Sequence, residues 1–280
     1  MKREKLALYL LIAVLSAVLI LSAAKVVSYA GNALQQKNAY DDLAALVEQA
    51  RLETEAATDN ACTKPEPESS PTEVTEPSIL PEYTQLYEKN ADTVGWLKIE
   101  GTSVNYPVLQ SPGRKNYYLN RDFSGEYSTH GCLYAREGCD VFAPSDNVTI
   151  YGHHMRDGSM FASLKNFRSQ SFWEKYHTID FDTLYERNHY TVFAVFTTTV
   201  LDGGFAYYRF DDAEDAAEFD EFVATCKSMS LYDTGITPVY GDKLLCLSTC
   251  EYTNSEGRLV VVAVRNNEES DAQKPVSGVA

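Results

Sequence analysis

The sequence predicts a mainly β domain, a closed or nearly closed barrel of seven or eight strands with peripheral helices, carried behind one transmembrane helix and a linker. Three observations predict it: an uncharged apolar run near the amino terminus, a stretch rich in Pro, Glu, Ser and Thr that ends near Tyr83, and then a series of short β-branched and aromatic runs separated by Gly, Asn, Asp and Pro. The chain has 280 residues, enough for one or two domains, and the composition shift near Tyr83 favours one.

Leu6 to Ala24 carry no charge and follow Lys2, Arg3 and Lys5. About 20 apolar residues cross a hydrocarbon layer of about 30 Å, so residues 6–24 are assigned as a membrane anchor. A signal peptide is the rival, with Ser22, Ala23 and Ala24 as a weak cleavage site, but its apolar region is shorter, about 7 to 15 residues. The basic cluster places residues 1–5 in the cytoplasm and everything after the anchor outside the cell membrane, a single-pass topology. The formal charge of −16 argues against nucleic acid or an anionic membrane surface as a partner.

Residues 25–61 read as a membrane-proximal helix or stalk, with Leu43, Leu46 and Val47 on its apolar stripe. Residues 62–82 contain Pro65, Pro67, Pro71, Pro77 and Pro81 and read as an extended spacer. Strands are expected over residues 94–99, 104–108, 131–134, 147–151, 189–199, 243–249 and 259–265. Helical insertions are expected over 159–165 with 170–176, and over 212–229, where Phe219, Phe222, Val223 and Cys226 recur at helical spacing. The domain is taken as residues 83–266, followed by a polar tail, 267–280.

Six cysteines show no CxxC and no spacing of a small disulfide scaffold, and five scattered histidines give no zinc spacing, so neither metal nor cofactor is expected. No carboxylate cluster suggests calcium. Cys132 and Cys139 are spaced to pair across a short loop, and two buried or free thiols are an equal alternative. Asn147-Val148-Thr149 fits a glycosylation sequon inside an expected strand, an incidental match.

Chemistry is concentrated at the end of one strand. In Leu244 to Cys250, alternation puts Leu244, Cys246, Ser248 and Cys250 on one face, with Cys250 where polar residues begin. A polar loop, Glu251 to Gly257, leads to Arg258 and the apolar run Leu259 to Val264. Antiparallel pairing of these two strands brings Cys250 and Arg258 to one end of the sheet. A third strand, Asn147 to Tyr151, runs into Gly152, His153 and His154, where a glycine permits close backbone approach.

The segments Asn90 to Ile99, Gly101 to Val108, Ile150-Tyr151-Gly152-His153, and Leu247-Ser248-Thr249-Cys250 with Arg258 resemble, in order, the motif series of class B sortases. The likeness runs from about Tyr83 to Arg265 and includes the amino-terminal anchor. It implies an eight-stranded barrel with an extra helix before the cysteine strand. The implied activity is that of a cysteine transpeptidase that cuts a sorting-signal peptide after Thr through a thioester and transfers the acyl group to a peptidoglycan amine. The implied catalytic residues are Cys250 as nucleophile, His153 as acid and base, and Arg258 as oxyanion or substrate holder. His154 falls where the family more often has Asn. Leu119, Tyr151, Ser248, Thr249 and Glu251 match positions lining or flanking the family's cleft, and each is equally read as packing or rim. Two other functions remain open on sequence: a cysteine hydrolase that releases the peptide, and a noncatalytic surface barrel that binds wall or protein partners.

Overall fold

The computed structural model describes residues 2–61, 78–251 and 256–266. Most of the expected spacer, residues 62–77, and the tail, 267–280, lie outside the described residues. The chain divides into two compact units between Asp42 and Leu43.

The first unit is helical and belongs to α1 (Lys2–Ala61). Within α1, Ala7–Ala57 contains a window long and apolar enough to cross a membrane, and Leu8, Leu10, Leu15, Leu19 and Leu21 are all more than half exposed. Apolar side chains without protein neighbours at this density suit lipid rather than water.

The second unit is a closed barrel of β1 (Thr93–Lys98), β2 (Asn105–Leu109), β3 (Leu133–Ala135), β4 (Asn147–Tyr151), β5 (Thr178–Thr183), β6 (His189–Thr199), β7 (Leu244–Glu251) and β8 (Gly257–Arg265), in the order β1-β2-β3-β4-β7-β8-β6-β5. Closure leaves no open sheet edge. Two neighbours are parallel, β2 with β3 and β4 with β7; the other pairs are antiparallel.

The eighth strand, β5, is absent from the expected set. Its Asp180 and Asp182 hide the pattern: Asp180 bonds the His189 imidazole at 2.6 Å, and Asp182 accepts from the Tyr83 hydroxyl at 2.6 Å and from Arg51 at 3.0 Å. A second unexpected element, α2 (Pro81–Lys89), starts where the spacer was expected to continue. Pro81 is a helix-starting proline, Glu82 and Lys89 sit at the ends that the helix dipole favours, and the Leu80 N–H is tied to the Leu184 carbonyl at 2.7 Å. Glu82 is fully buried and takes Arg187 Nε at 3.0 Å. Arg51 thus joins the end of α1 to the barrel through Asp182, a contact within the second unit.

The insertion before β7 forms α4 (Ala216–Met229), four residues shorter at its start than the sequence suggests, because Asp215 caps it by accepting the Glu218 N–H at 3.0 Å. Its Phe219, Phe222, Val223 and Cys226 pack on Phe196, Leu244, Cys246, Val260 and Val262. Each apolar side chain so buried contributes roughly 1.5–3 kcal/mol. The earlier insertion is a 3-10 helix, Phe161–Arg168, followed by α3 (Gln170–Lys175). Asn147 is fully buried and its amide donates to the Phe210 carbonyl at 2.8 Å, so the sequon match is structural.

Candidate active site

β7 and β8 pair in unbroken register, with Cys250 opposite Arg258 and Glu251 opposite Gly257. Directly opposed residues share a face, with Cβ atoms about 4.5–5.5 Å apart, so thiol and guanidinium start from neighbouring positions. The Arg258 guanidinium is half-buried; it donates to the Gly257 carbonyl at 2.9 Å and stands 3.9 Å from the Glu256 carboxylate.

The histidine arrives by the parallel pairing of β4 with β7. Its last register pair is Tyr151 with Ser248, and the Gly152 N–H continues to the Ser248 carbonyl at 3.2 Å. His153 and Cys250 each lie two residues past that pair, at the same end of the sheet and both half-buried. A Cβ on Gly152 would lie 2.5 Å from Leu133 Cδ2 and 2.6 Å from the Phe161 ring. Gly152→Ala is therefore expected to cost about 1–3 kcal/mol by overpacking and to push His153 out of place, read as a lowered melting temperature together with lost activity.

The two histidines have different partners. His153 Nε2 lies 2.7 Å from the Leu119 carbonyl oxygen, while His154 Nδ1 lies 3.1 Å from the Cys250 carbonyl oxygen. A carbonyl only accepts, so each contact fixes a proton on that nitrogen. The neutral His153 ring then carries its lone pair on Nδ1.

On the Cys250 face Ser248 is buried, and its hydroxyl is 2.5 Å from that of Tyr207. Burial pushes the Tyr207 phenol up to about 12, opposed by the Ser248 bond. Tyr151 and Tyr134 pack with 5.4 Å between ring centres, and burial raises both phenols; Tyr134 also feels Arg258 and Cys250. Tyr134 and Tyr207 were not singled out from sequence: they come from a short strand and a 3-10 turn with no motif of their own. Leu119, in the 3-10 helix Tyr117–Asn120, joins the group through its backbone carbonyl. Thr249 alternates to the opposite face, is 2% exposed, and its hydroxyl has no partner among the described residues. The Glu251 side chain and residues 252–255 lie outside the described residues.

The remaining described thiols differ from Cys250. Cys132, Cys139, Cys226 and Cys246 are buried thiols, and Cys132 and Cys139 form no disulfide with each other. Burial pushes the Cys139 thiol up to about 11 and raises Cys226 and Cys246. A neutral alkylating reagent at pH 7 is expected to modify half-exposed Cys250 well before these four, as read by peptide mapping; faster modification of any of the four would contradict this placement. Among the described residues no cluster of three or more His, Cys, Asp or Glu is placed to hold a metal ion.

The family model for the sortase domain matches residues 97–266, more than half of the chain. Sortase B of Staphylococcus aureus is 36% identical over 188 residues, which cover 66% of this chain and 75% of that protein. The chain belongs to the sortase family, class B. A Staphylococcus aureus sortase B–substrate complex superposes with a TM-score of 0.68 at 29% identity, covering 85% of this sortase and 99% of that chain. A sortase B complexed with triglycine gives a TM-score of 0.68 at 29% identity, covering 84% and 98%. This sortase is accordingly a cysteine transpeptidase of protein sorting, built on the eight-stranded barrel of its class.

Proposed function

We propose that this sortase cleaves a sorting-signal peptide after Thr with Cys250 as nucleophile and passes the acyl group to an amine of peptidoglycan, anchoring secreted proteins to the wall. The observation that carries the assignment of residues is the register that puts Cys250 opposite Arg258 and level with His153. Cys250 Sγ passes its proton to His153 Nδ1 and attacks the Thr carbonyl carbon, and the oxygen takes up negative charge beside Arg258. A guanidinium is suited to that position because it keeps its charge and presents donors in a fixed fork. As the C–N bond breaks, protonated His153 Nδ1 gives its proton to the departing amine and a thioester remains on Cys250. An incoming amine attacks the thioester, His153 Nδ1 accepts the proton lost from nitrogen, and Cys250 leaves as a thiolate that takes this proton back from His153.

Throughout, the Leu119 carbonyl holds the other imidazole nitrogen, so proton traffic runs through one atom. Ser248 and Tyr151 flank the cleft on the same side, and Leu119 borders it; Thr249 and Glu251 are assigned to substrate binding by family position alone. The substrate complex of the Staphylococcus aureus relative and the triglycine complex of a sortase B support a reading with one bound substrate and one amine acceptor. The apolar part of α1 is assigned as the membrane anchor, with the basic residues Lys2, Arg3 and Lys5 on the cytoplasmic side and the barrel outside. Incubating the full chain with a sorting peptide and triglycine tests the reading: a product carrying the added amine is expected, and free acid alone would favour hydrolysis.

A further inference from the structure

A titratable pair next to the site, a buried histidine and a more exposed carboxylate, takes no part in this chemistry. His130 is 2% exposed and its Nε2 lies 2.8 Å from Asp157 Oδ2. Asp157 belongs to the loop that leaves His153, and its other oxygen accepts from the Ser159 N–H at 3.0 Å and hydroxyl at 2.6 Å. Burial alone would raise the Asp157 carboxyl, but the bonds from Ser159 and His130 hold it below the usual range. The loop closes on itself: the Phe161 N–H returns to the His153 carbonyl at 2.9 Å and His154 bridges Met160.

His130 also belongs to the segment that frames the acceptor of His153. The Ser128 N–H donates to the Asn120 carbonyl at 3.1 Å and the Cys132 N–H to the Tyr118 carbonyl at 3.1 Å, on either side of Leu119. Between them Gly131, at φ +60°, lies so close that a Cβ there would stand 2.4 Å from the Leu119 carbonyl oxygen. That oxygen is the partner of His153 Nε2. One short segment, Ser128 to Cys132, therefore touches both the acceptor of the imidazole and, through His130, the loop that carries the imidazole.

We propose that His130 is a positioning residue, whose bond to Asp157 keeps the loop from His153 to Met160 seated so that His153 stays on the Leu119 carbonyl with Nδ1 facing the reaction. The proposal rests on the reading of His153 as the acid and base. Ser103, whose hydroxyl donates to the Gly158 carbonyl at 2.9 Å, holds the same loop from the β1–β2 turn, so loss of His130 loosens the loop without releasing it. An imidazole Nε2–H donates in the protonated ring and in one neutral tautomer, so the tie survives deprotonation.

The test compares full-length His130→Ala, Asp157→Ala, the double variant and His130→Gln, whose amide N–H can still reach Asp157. Each alanine variant is expected to lower kcat for transfer about tenfold while KM for the peptide stays within about twofold, because the proton-transfer step and not binding is disturbed. The double variant should be no slower than either single one, His130→Gln should recover most of kcat, and the limb of the pH–rate profile that belongs to His153 should move in the alanine variants and return with Gln. Alkylation of Cys250 should keep its rate in all four, reporting an intact nucleophile strand. Wild-type kcat in both alanine variants, additive losses in the double variant, or a Gln variant no faster than Ala despite normal Cys250 alkylation would overturn the proposal. Transfer that persists without His153 would instead overturn the reading on which it rests.

Discussion

Replacing Cys250 with Ala is expected to lower kcat/KM for peptide transfer by on the order of 10⁵–10⁶-fold, the scale of losing the nucleophile from a covalent mechanism. Alanine leaves the peptide's carbonyl facing Arg258 and His153 with no atom able to form the thioester. The substitution should be mild for the fold, since Cys250 is half-exposed at a strand end and its strand is held by β4 on one side and β8 on the other. Peptide binding should persist in the variant, so a labelled sorting peptide would still bind while neither cleavage nor transfer proceeds. Retained turnover with purified Cys250→Ala would move the chemistry to another group.

His153→Ala carries the second largest expectation, a loss of roughly 10²–10⁴ in kcat, the usual contribution of a placed acid–base group. The neighbouring His154→Ala should cost about tenfold or less, because its Nδ1 proton is already given to the Cys250 carbonyl and its role is to hold the strand end. The contrast tests the choice of His153 over the adjacent His154 that the motif resemblance implies. A leaving group of low basicity should rescue His153→Ala in part, since it departs without needing a proton. Equal losses for the two histidines, or no rescue, would contradict the assignment of Nδ1 of His153 as the proton carrier.

The proposed site was legible in the sequence because its residues sit in short, ordered motifs: the Cys250 strand, the Arg258 strand and the Gly152-His153 turn. Alternation in β7 and the hairpin with β8 follow from residue pattern alone, and the register agrees. The parallel pairing of β4 with β7 is a different matter, since nothing local in Asn147 to Tyr151 encodes which strand lies beside it. β5 escaped notice because Asp180 and Asp182 look like turn residues until their partners, His189, Tyr83 and Arg51, are known. Pro81 reads as part of a spacer and instead starts α2, because burial of Tyr83 and Leu86 repays the ordering of that turn. Leu119 was matched as a cleft position, but its main-chain contact with His153 carries no side-chain signal, and His130 is a lone histidine 27 residues before its carboxylate. Thr249 and Ser248 are adjacent in the motif but face opposite ways, so family position groups two side chains that the pleat separates.

The most direct measurement is intact-protein and peptide mass spectrometry of the full-length chain quenched in acid during turnover of a sorting peptide without added amine. The account predicts an acyl adduct on the peptide containing Cys250, ending in the Thr of the substrate, that disappears when triglycine is added and reappears as product joined to triglycine. An adduct on a different residue, or steady turnover with no adduct on Cys250 even when amine is withheld and hydrolysis is slow, would contradict it.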